Sequence, residues 1–247
     1  MSEIGSFLRR RLNRGVPYGL GLTVAFGIVV VSVTAFALMA SAFATGAELV
    51  ALDRATHQLL YETFGASRDL GLAVTWFGNN ATIIGFVVTT ALVLLLRRQF
   101  WAAFRVVFAS GIGGIVVLSL KSLFARVRPM EQIVEATGYS FPSGHTFAST
   151  VFYGMLIALA WRLSTRRWVR AIVTTVGLVL IVAVGASRVY LNVHYPTDVI
   201  AGWLAGSAWL FASLILVDVV ETQTRSRREA LEERRRPDDA TPQVPGS

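Results

Sequence analysis

Six stretches of this chain are apolar over lengths that match a lipid bilayer: residues 18–44, 70–96, 100–120, 146–161, 171–187 and 199–217. A helix that crosses the hydrocarbon core needs about 20 mostly apolar residues, within a range of roughly 17–25. Only closed helices and barrels satisfy their backbone groups there, so runs of this length predict helices. The chain is 54% hydrophobic and 15% charged, against about 25% charged for an average soluble domain. The expected fold class is therefore all-α: a polytopic membrane protein with a bundle of six transmembrane helices. The fourth and fifth stretches are short, and arginines at their ends can snorkel to the interface.

The charges are distributed in keeping with this reading. If the six segments alternate in direction, one side collects Arg9, Arg10, Arg11, Arg14, Arg97, Arg98, Arg105, Arg162, Arg166, Arg167, Arg170 and six arginines of the tail, 17 of the 23 Lys and Arg. The other side holds Arg54, Arg68, Lys121, Arg126, Arg128 and Arg188. This places both termini in the cytoplasm. Trp101, Trp161 and Trp168 lie near the same segment ends, as interfacial aromatics do. The net charge of +8 reads as topology signals and contacts with membrane lipids, not as a nucleic-acid surface. No cysteine is present, which excludes disulfides and thiolate metal sites. Ala42-Phe43-Ala44 resembles a signal-peptide cleavage site, but the apolar run before it is far longer than the usual 7–15 residues, which favours a retained helix.

Three parts follow: a basic cytoplasmic N-terminus over 1–17, a membrane domain over 18–220, and a charged tail over 221–247. The tail begins as a helical extension and becomes disordered in its Pro- and Asp-containing end. Between the first two segments, Leu49, Leu52, Leu59, Leu60 and Phe64 approximate one helical face. That pattern predicts an amphipathic helix on the outer membrane surface, or a connector packed on the bundle. His57 lies in it without polar company and reads as an exposed residue. Gly202 and Gly206 form a G-x-x-x-G that permits close helix approach, within the bundle or between copies.

Three polar islands interrupt the apolar pattern: Lys121 to Arg128-Pro129, Pro142-Ser143-Gly144-His145, and Ser187-Arg188 with His194 and Asp198. By parity of the segments, all three fall on the side poor in basic residues, where a cation is least explained as a topology signal. Lys121, Arg128 and Arg188 suit the equatorial oxygens of a phosphate. Ser143 is a favoured N-cap, and the N–H groups of a helix start bind phosphate; Gly144 allows close backbone approach. Asp198 follows His194 by four residues, across a proline suited to a first helical turn. A carboxylate on one imidazole nitrogen leaves the other as a nucleophile. Each island alone has a plainer reading, as a helix-end charge, a capped turn, or an Asp placed by the helix dipole. The spacings of zinc motifs are absent, so no metal and no cofactor is expected.

Taken together, K-x6-R-P, P-S-G-H and S-R-x5-H-x3-D resemble the three signature motifs of the type 2 phosphatidic acid phosphatase superfamily, with no motif position departing from the pattern. Soluble acid phosphatases and vanadium haloperoxidases share these motifs; the six apolar segments make the chain resemble the bacterial membrane lipid-phosphatase branch. The resemblance implies antiparallel helices with the site at one end, and metal-independent hydrolysis through a phosphohistidine. It implies that His194 is the nucleophile, Asp198 its orienting partner and His145 the general acid. It makes Lys121, Arg128, Ser143, Gly144 and Arg188 the phosphate cradle. The expected substrate is a lipid phosphate or pyrophosphate, such as undecaprenyl pyrophosphate, phosphatidylglycerol phosphate or phosphatidic acid. A lipid phosphotransferase would use the same residues, and a transporter or scaffold with a vestigial site is the non-catalytic rival. Oligomeric state is open.

Overall fold

The structure, a computed structural model, describes residues 20–45, 51, 53, 55, 56, 58, 59, 68–130 and 132–235. Its helices are α1 (Leu20–Thr45), α2 (Arg68–Trp76), α3 (Asn80–Leu96), α4 (Phe100–Phe124), α5 (Gly144–Leu163), α6 (Arg167–Tyr190) and α7 (Pro196–Arg235). Six spans among them are long and apolar enough to cross a membrane. The all-α, six-span expectation is met. Valines and leucines that would be unfavourable on a soluble surface, such as Val31, Leu38, Leu118 and Val179, point outward, where hydrocarbon replaces water.

The second span differs from the continuous segment expected from its apolarity. It is two helices, because Phe77-Gly78-Asn79 turns the chain between them. Asn79 restarts it: its side chain accepts the Ala81 N–H at 2.9 Å, an N-cap interaction that satisfies a donor without an intrahelical partner. Gly78 is required here, since a Cβ on it would stand 2.3 Å from Val184 Cγ1.

α5 is the central helix, packed against α3, α4, α6 and α7, while α1 lies along α7 and α2 along α6. Phe147, Val151, Phe152, Met155 and Leu159 fill the core from α5. The G-x-x-x-G acts inside the bundle: a Cβ on Gly202 would meet Thr146 Cβ at 2.8 Å, and one on Gly206 would meet Thr150 Cβ at 2.9 Å. This close approach seats the start of α7 against the start of α5. At the same end, Phe36 of α1, Phe124 of α4 and Phe141 cluster, with ring centroids 5.1–5.8 Å apart. They support the loop that leads into Pro142 and Ser143.

At the opposite end, Arg105 is buried and paired with Asp218 and Glu221, with Arg162 beside both and Arg225 on Glu221. These charges knit α4, α5 and α7 together. α7 continues as a charged helix to Arg235, as expected for the start of the tail; the end of the tail, the N-terminal 1–17 and His57 lie outside the described residues. In the α1–α2 connector, the described positions are helical. Leu59 is exposed, whereas Asp53 is buried, so this connector is packed on the bundle at Asp53. Leu49, Leu52, Leu60 and Phe64 fall outside the described residues.

Candidate active site

All eight residues singled out from sequence gather at one end of the bundle. α4 ends at Ala125, which adopts a left-handed conformation (φ 45°, ψ 33°) and donates its N–H to Lys121 O. That conformation is costly for a residue with a Cβ, and it turns the chain so that Arg126 and Arg128 follow as loop residues. Lys121, in the last turn, reaches the carbonyls of Tyr139 at 2.6 Å and Ser140 at 3.4 Å. It passes Gly144, where a Cβ would stand 3.4 Å from Lys121 Cε.

Ser143 occupies the N-cap position of α5 but does not cap with its side chain. Its hydroxyl is buried and accepts from Thr146 Oγ1 at 3.0 Å, and its N–H donates to Asp198 O at 2.9 Å. The expectation of a serine side-chain cap is corrected accordingly. The hydroxyl is held by a neighbour one turn along, which leaves the first-turn N–H groups of α5 without side-chain acceptors. His145 follows, half-buried, with no hydrogen-bond partner for its ring among the described residues. Arg188, His194, Arg128 and Lys121 all lie within electrostatic reach of it.

Arg188 projects from the last turn of α6, is buried, and donates to Thr75 Oγ1 at 2.7 Å. Its Nε has no partner among the described residues, an open donor in a site made of cations. Asn192, at φ 53°, reverses the chain after α6, a conformation Asn tolerates better than most residues. His194 then lies just before α7, which starts at Pro196. Asp198 is in the first turn, where its Oδ2 reaches back to the Tyr195 N–H at 3.0 Å, the acidic half of a capping box. The same oxygen faces His194 Nδ1 at 3.4 Å, so imidazole and carboxylate pair across the start of the helix.

The other imidazole nitrogen, Nε2, lies 3.1 Å from Arg128 Nη1. Arg128 is itself tied to the carbonyls of Thr137, Gly138 and Val193 at 2.8–3.0 Å, and so joins the two loops that flank His194. His194 is 1% exposed. Burial pushes its pKa down to about 4, against the pull of the Asp198 hydrogen bond and charge, while Arg128 and Arg188 add to the depression. The ring is thus a neutral base over the physiological range. With the proton on Nδ1 and directed at Asp198 Oδ2, the Nε2 lone pair faces the cation-lined space.

Three residues of this site carry no mark in the sequence motifs. Arg126 reads there only as a basic residue within the first motif's spacing, Thr197 as filler, and Asp53 as part of a connector. Arg126 Nη1 donates to Asp198 Oδ1 at 2.6 Å and to Thr197 Oγ1 at 2.8 Å, and Nη2 donates to Asp53 Oδ2 at 2.7 Å. Asp53 also accepts from Thr197 N at 3.0 Å and Thr197 Oγ1 at 2.7 Å. A usable signal exists for Arg126, since it lies on the side poor in basic residues, as Arg128 does.

Among the described residues, no three His, Asp or Glu side chains converge as metal ligands. What converges is a set of cationic donors, two imidazoles and the buried carboxylates of Asp198 and Asp53. Beside it, an apolar groove of about 320 Å³ runs between α3, α4 and α5, with Lys121 and Gly144 at one end and Ser110 and Gly111 at the other.

Comparison with known proteins agrees with this arrangement. Residues 102–221 match the model of the PAP2 superfamily. The chain is 29% identical over 140 residues to phosphatidylglycerophosphatase B of Bacillus subtilis, covering 56% of this chain and 69% of that protein. It is 33% identical over 136 residues to an undecaprenyl-diphosphatase of Sulfolobus acidocaldarius, covering 52% of this chain and 62% of the relative. The crystal structure of a transmembrane PAP2-type phosphatidylglycerolphosphate phosphatase from Bacillus subtilis superposes with a TM-score of 0.70 at 24% identity, over 79% of this chain and 96% of the other. Residues 102–221, which carry all three motifs, are thus a PAP2 superfamily domain, and the six-span bundle around it has the fold of a membrane-spanning member of that superfamily.

Proposed function

We propose that this chain hydrolyses a lipid phosphate or pyrophosphate through a phosphohistidine on His194, at the outer face of a bacterial cytoplasmic membrane. The observation that carries this reading is the setting of His194: Nδ1 faces Asp198, and Nε2 faces Arg128 at 3.1 Å. A phosphoryl group seated among Lys121, Arg128, Arg188 and the first N–H groups of α5 would present its phosphorus to that lone pair. The groove beside Lys121 and Gly144, walled by Ile83, Val117, Leu118 and Val151, suits the apolar tail of such a substrate. The outer-face placement is supported by the distribution of arginines between the two sides.

In the first step, His194 Nε2 forms a bond to phosphorus as the bond to the leaving oxygen breaks. That oxygen takes a proton from His145. Charge on the equatorial oxygens is held by the three cations. In the second step, water attacks the phosphohistidine, His145 accepts the water's proton, and the P–N bond breaks to release inorganic phosphate. The cycle is balanced without a metal or a redox partner.

The test is phosphate release by detergent-solubilised protein from isoprenyl pyrophosphates, phosphatidylglycerol phosphate and phosphatidic acid, in excess EDTA. Release from at least one, abolished in His194→Ala, is the expected result. No release from any, or full loss on chelation with recovery on adding magnesium or zinc, would overturn the mechanism.

A further inference from the structure

The two oxygens of Asp198 have different duties. Oδ2 faces His194 Nδ1 and accepts the Tyr195 N–H, whereas Oδ1 accepts only from Arg126, at 2.6 Å, among the described residues. Arg126 is not left to swing. Asp53 binds its second nitrogen at 2.7 Å, Thr197 lies between the two, and the Tyr195 ring lies 4.1 Å from the guanidinium carbon. Asp53, Arg126, Thr197 and Asp198 are each at most 5% exposed. A buried ion pair contributes little net stability over a well-packed apolar substitute, so a chain of alternating charges against the site calls for another role.

We propose that Asp53 and Arg126 are positioning residues for the His194–Asp198 pair. Arg126 engages one carboxylate oxygen, aims the other at His194 Nδ1, and tempers the charge that the imidazole feels; Asp53 sets how much of that cation reaches Asp198. The inference rests on the reading of His194 as nucleophile. It also gives the α1–α2 connector a part in the chemistry, since Asp53 comes from there and lies 73 residues from Arg126 in sequence.

Opposite signs follow for the two ends of the relay. The charged groups acting on His194 are Asp198 from α7, Arg128 from the loop after α4, and Arg188 from α6. His145 of α5 lies within electrostatic reach of it, and Lys121 of α4 acts on Asp198. Removing Arg126 leaves the charge of Asp198 undiminished. His194 then holds its proton more tightly, and the acid limb of kcat/KM moves up, by about 0.5–1 pH unit. Removing the charge of Asp53 leaves Arg126 unopposed, and the limb moves down. Arg126→Lys keeps the charge but loses the fork, so kcat falls with the limb in place.

The experiment is the pH dependence of kcat/KM for phosphate release by purified parent, Arg126→Gln, Arg126→Lys, Asp53→Asn and His194→Ala, with thermal unfolding followed on the same samples. Arg126→Gln should show a kcat lower by about ten- to a hundredfold, the scale of one charge-assisted hydrogen bond, at little changed KM and with an upward limb. Asp53→Asn should show a downward limb. Limbs that stay at the parent position in both, with losses that track the folded fraction, would show the relay to be structural only. If Arg126→Gln does not fold, the direction in Asp53→Asn decides. Activity surviving in His194→Ala would instead sink the nucleophile assignment itself, an outcome distinct from an unmoved limb with His194→Ala inactive.

Discussion

Arg128 Nη1 and His194 Nε2 stand 3.1 Å apart, so the proposed nucleophilic nitrogen and a guanidinium of the proposed phosphate clamp are in hydrogen-bond contact. A phosphoryl group entering the site must come between them or alongside both. The arginine pins the loops at Thr137, Gly138 and Val193, and in the proposed mechanism it also holds the phosphate oxygens.

Lysine in place of either site arginine keeps the charge but not the planar fork. Arg128→Lys and Arg188→Lys each forfeit at least one charge-assisted hydrogen bond, worth about 1.5–3 kcal/mol, which is roughly ten- to a hundredfold in rate. Steady-state kinetics on the lipid substrate check this. Near-normal turnover in both variants would remove these arginines from the phosphate clamp.

The two histidines should fail differently. Acid-quenched labelling with a radioactive phosphate donor should find no phosphoenzyme in His194→Ala. His145→Ala lacks only the proton donor, so p-nitrophenyl phosphate, whose leaving group needs little protonation, should restore part of its rate. Label that persists without His194 and vanishes without His145 would reverse the roles.

Acid should inactivate the parent late. The proposed nucleophile His194 must attack as the neutral imidazole, and burial holds its pKa near 4 instead of 6.5. Activity is therefore retained as pH falls through 6.5 and lost near 4. Between those two values the unfolded chain binds a proton at His194 that the folded chain does not, so stability falls as pH falls. Comparing parent with His194→Gln in thermal unfolding at pH 7 and pH 5 isolates that slope. An acid limb at 6.5 or above would refute the assignment.

Much of this site is legible from the chain because its elements are local. Apolar length marks the spans, and cations on the side poor in basic residues mark the end that holds the candidate site. What stays hidden depends on distant packing. Nothing near Asp53 says that it meets Arg126 and Thr197, since those partners arrive only when the connector folds onto the start of α7. Thr75 meets Arg188 across 113 residues for the same reason. The break is signalled by Gly78-Asn79, a turn residue followed by an N-cap, but a segment bounded by apolarity alone reads through it. Pro196 marks the first turn of α7 as its position in the sequence suggests, which leaves His194 just before the helix.

The groove should separate lipid substrates from soluble ones. Gly111 and Gly114 have open space where a Cβ would be, and both line the groove. Gly111→Leu and Gly114→Leu should lower turnover of a long-chain substrate by about tenfold, on the scale of the apolar area that the tail would no longer bury, and spare p-nitrophenyl phosphate. Equal effects on both substrates would place the tail elsewhere.

Far from the chemistry, Arg105→Ala leaves the buried Glu221 carboxylate short of its main partner. Breaking one side of a buried pair costs about 3–5 kcal/mol. The variant should unfold at lower temperature in detergent while its folded fraction keeps the parental kcat. Unchanged unfolding would show that Arg162 and Arg225 suffice there.

The forty-residue α7 has a consequence for where catalysis happens in the membrane. It begins beside the active site with Asp198 and passes through the charged cluster at Asp218 and Glu221 before it ends. At 1.5 Å per residue, the twenty residues from Asp198 to Asp218 measure about 30 Å, the thickness of a hydrocarbon core. With the site at one water boundary, as proposed, the cluster at Asp218 and Glu221 falls at the other, like two floats on one spar, and helix length would gauge the depth at which His194 meets a lipid headgroup. In a thicker or thinner bilayer the spar must lean or ride higher, which would make turnover respond to the acyl-chain length of the surrounding lipid as well as to that of the substrate.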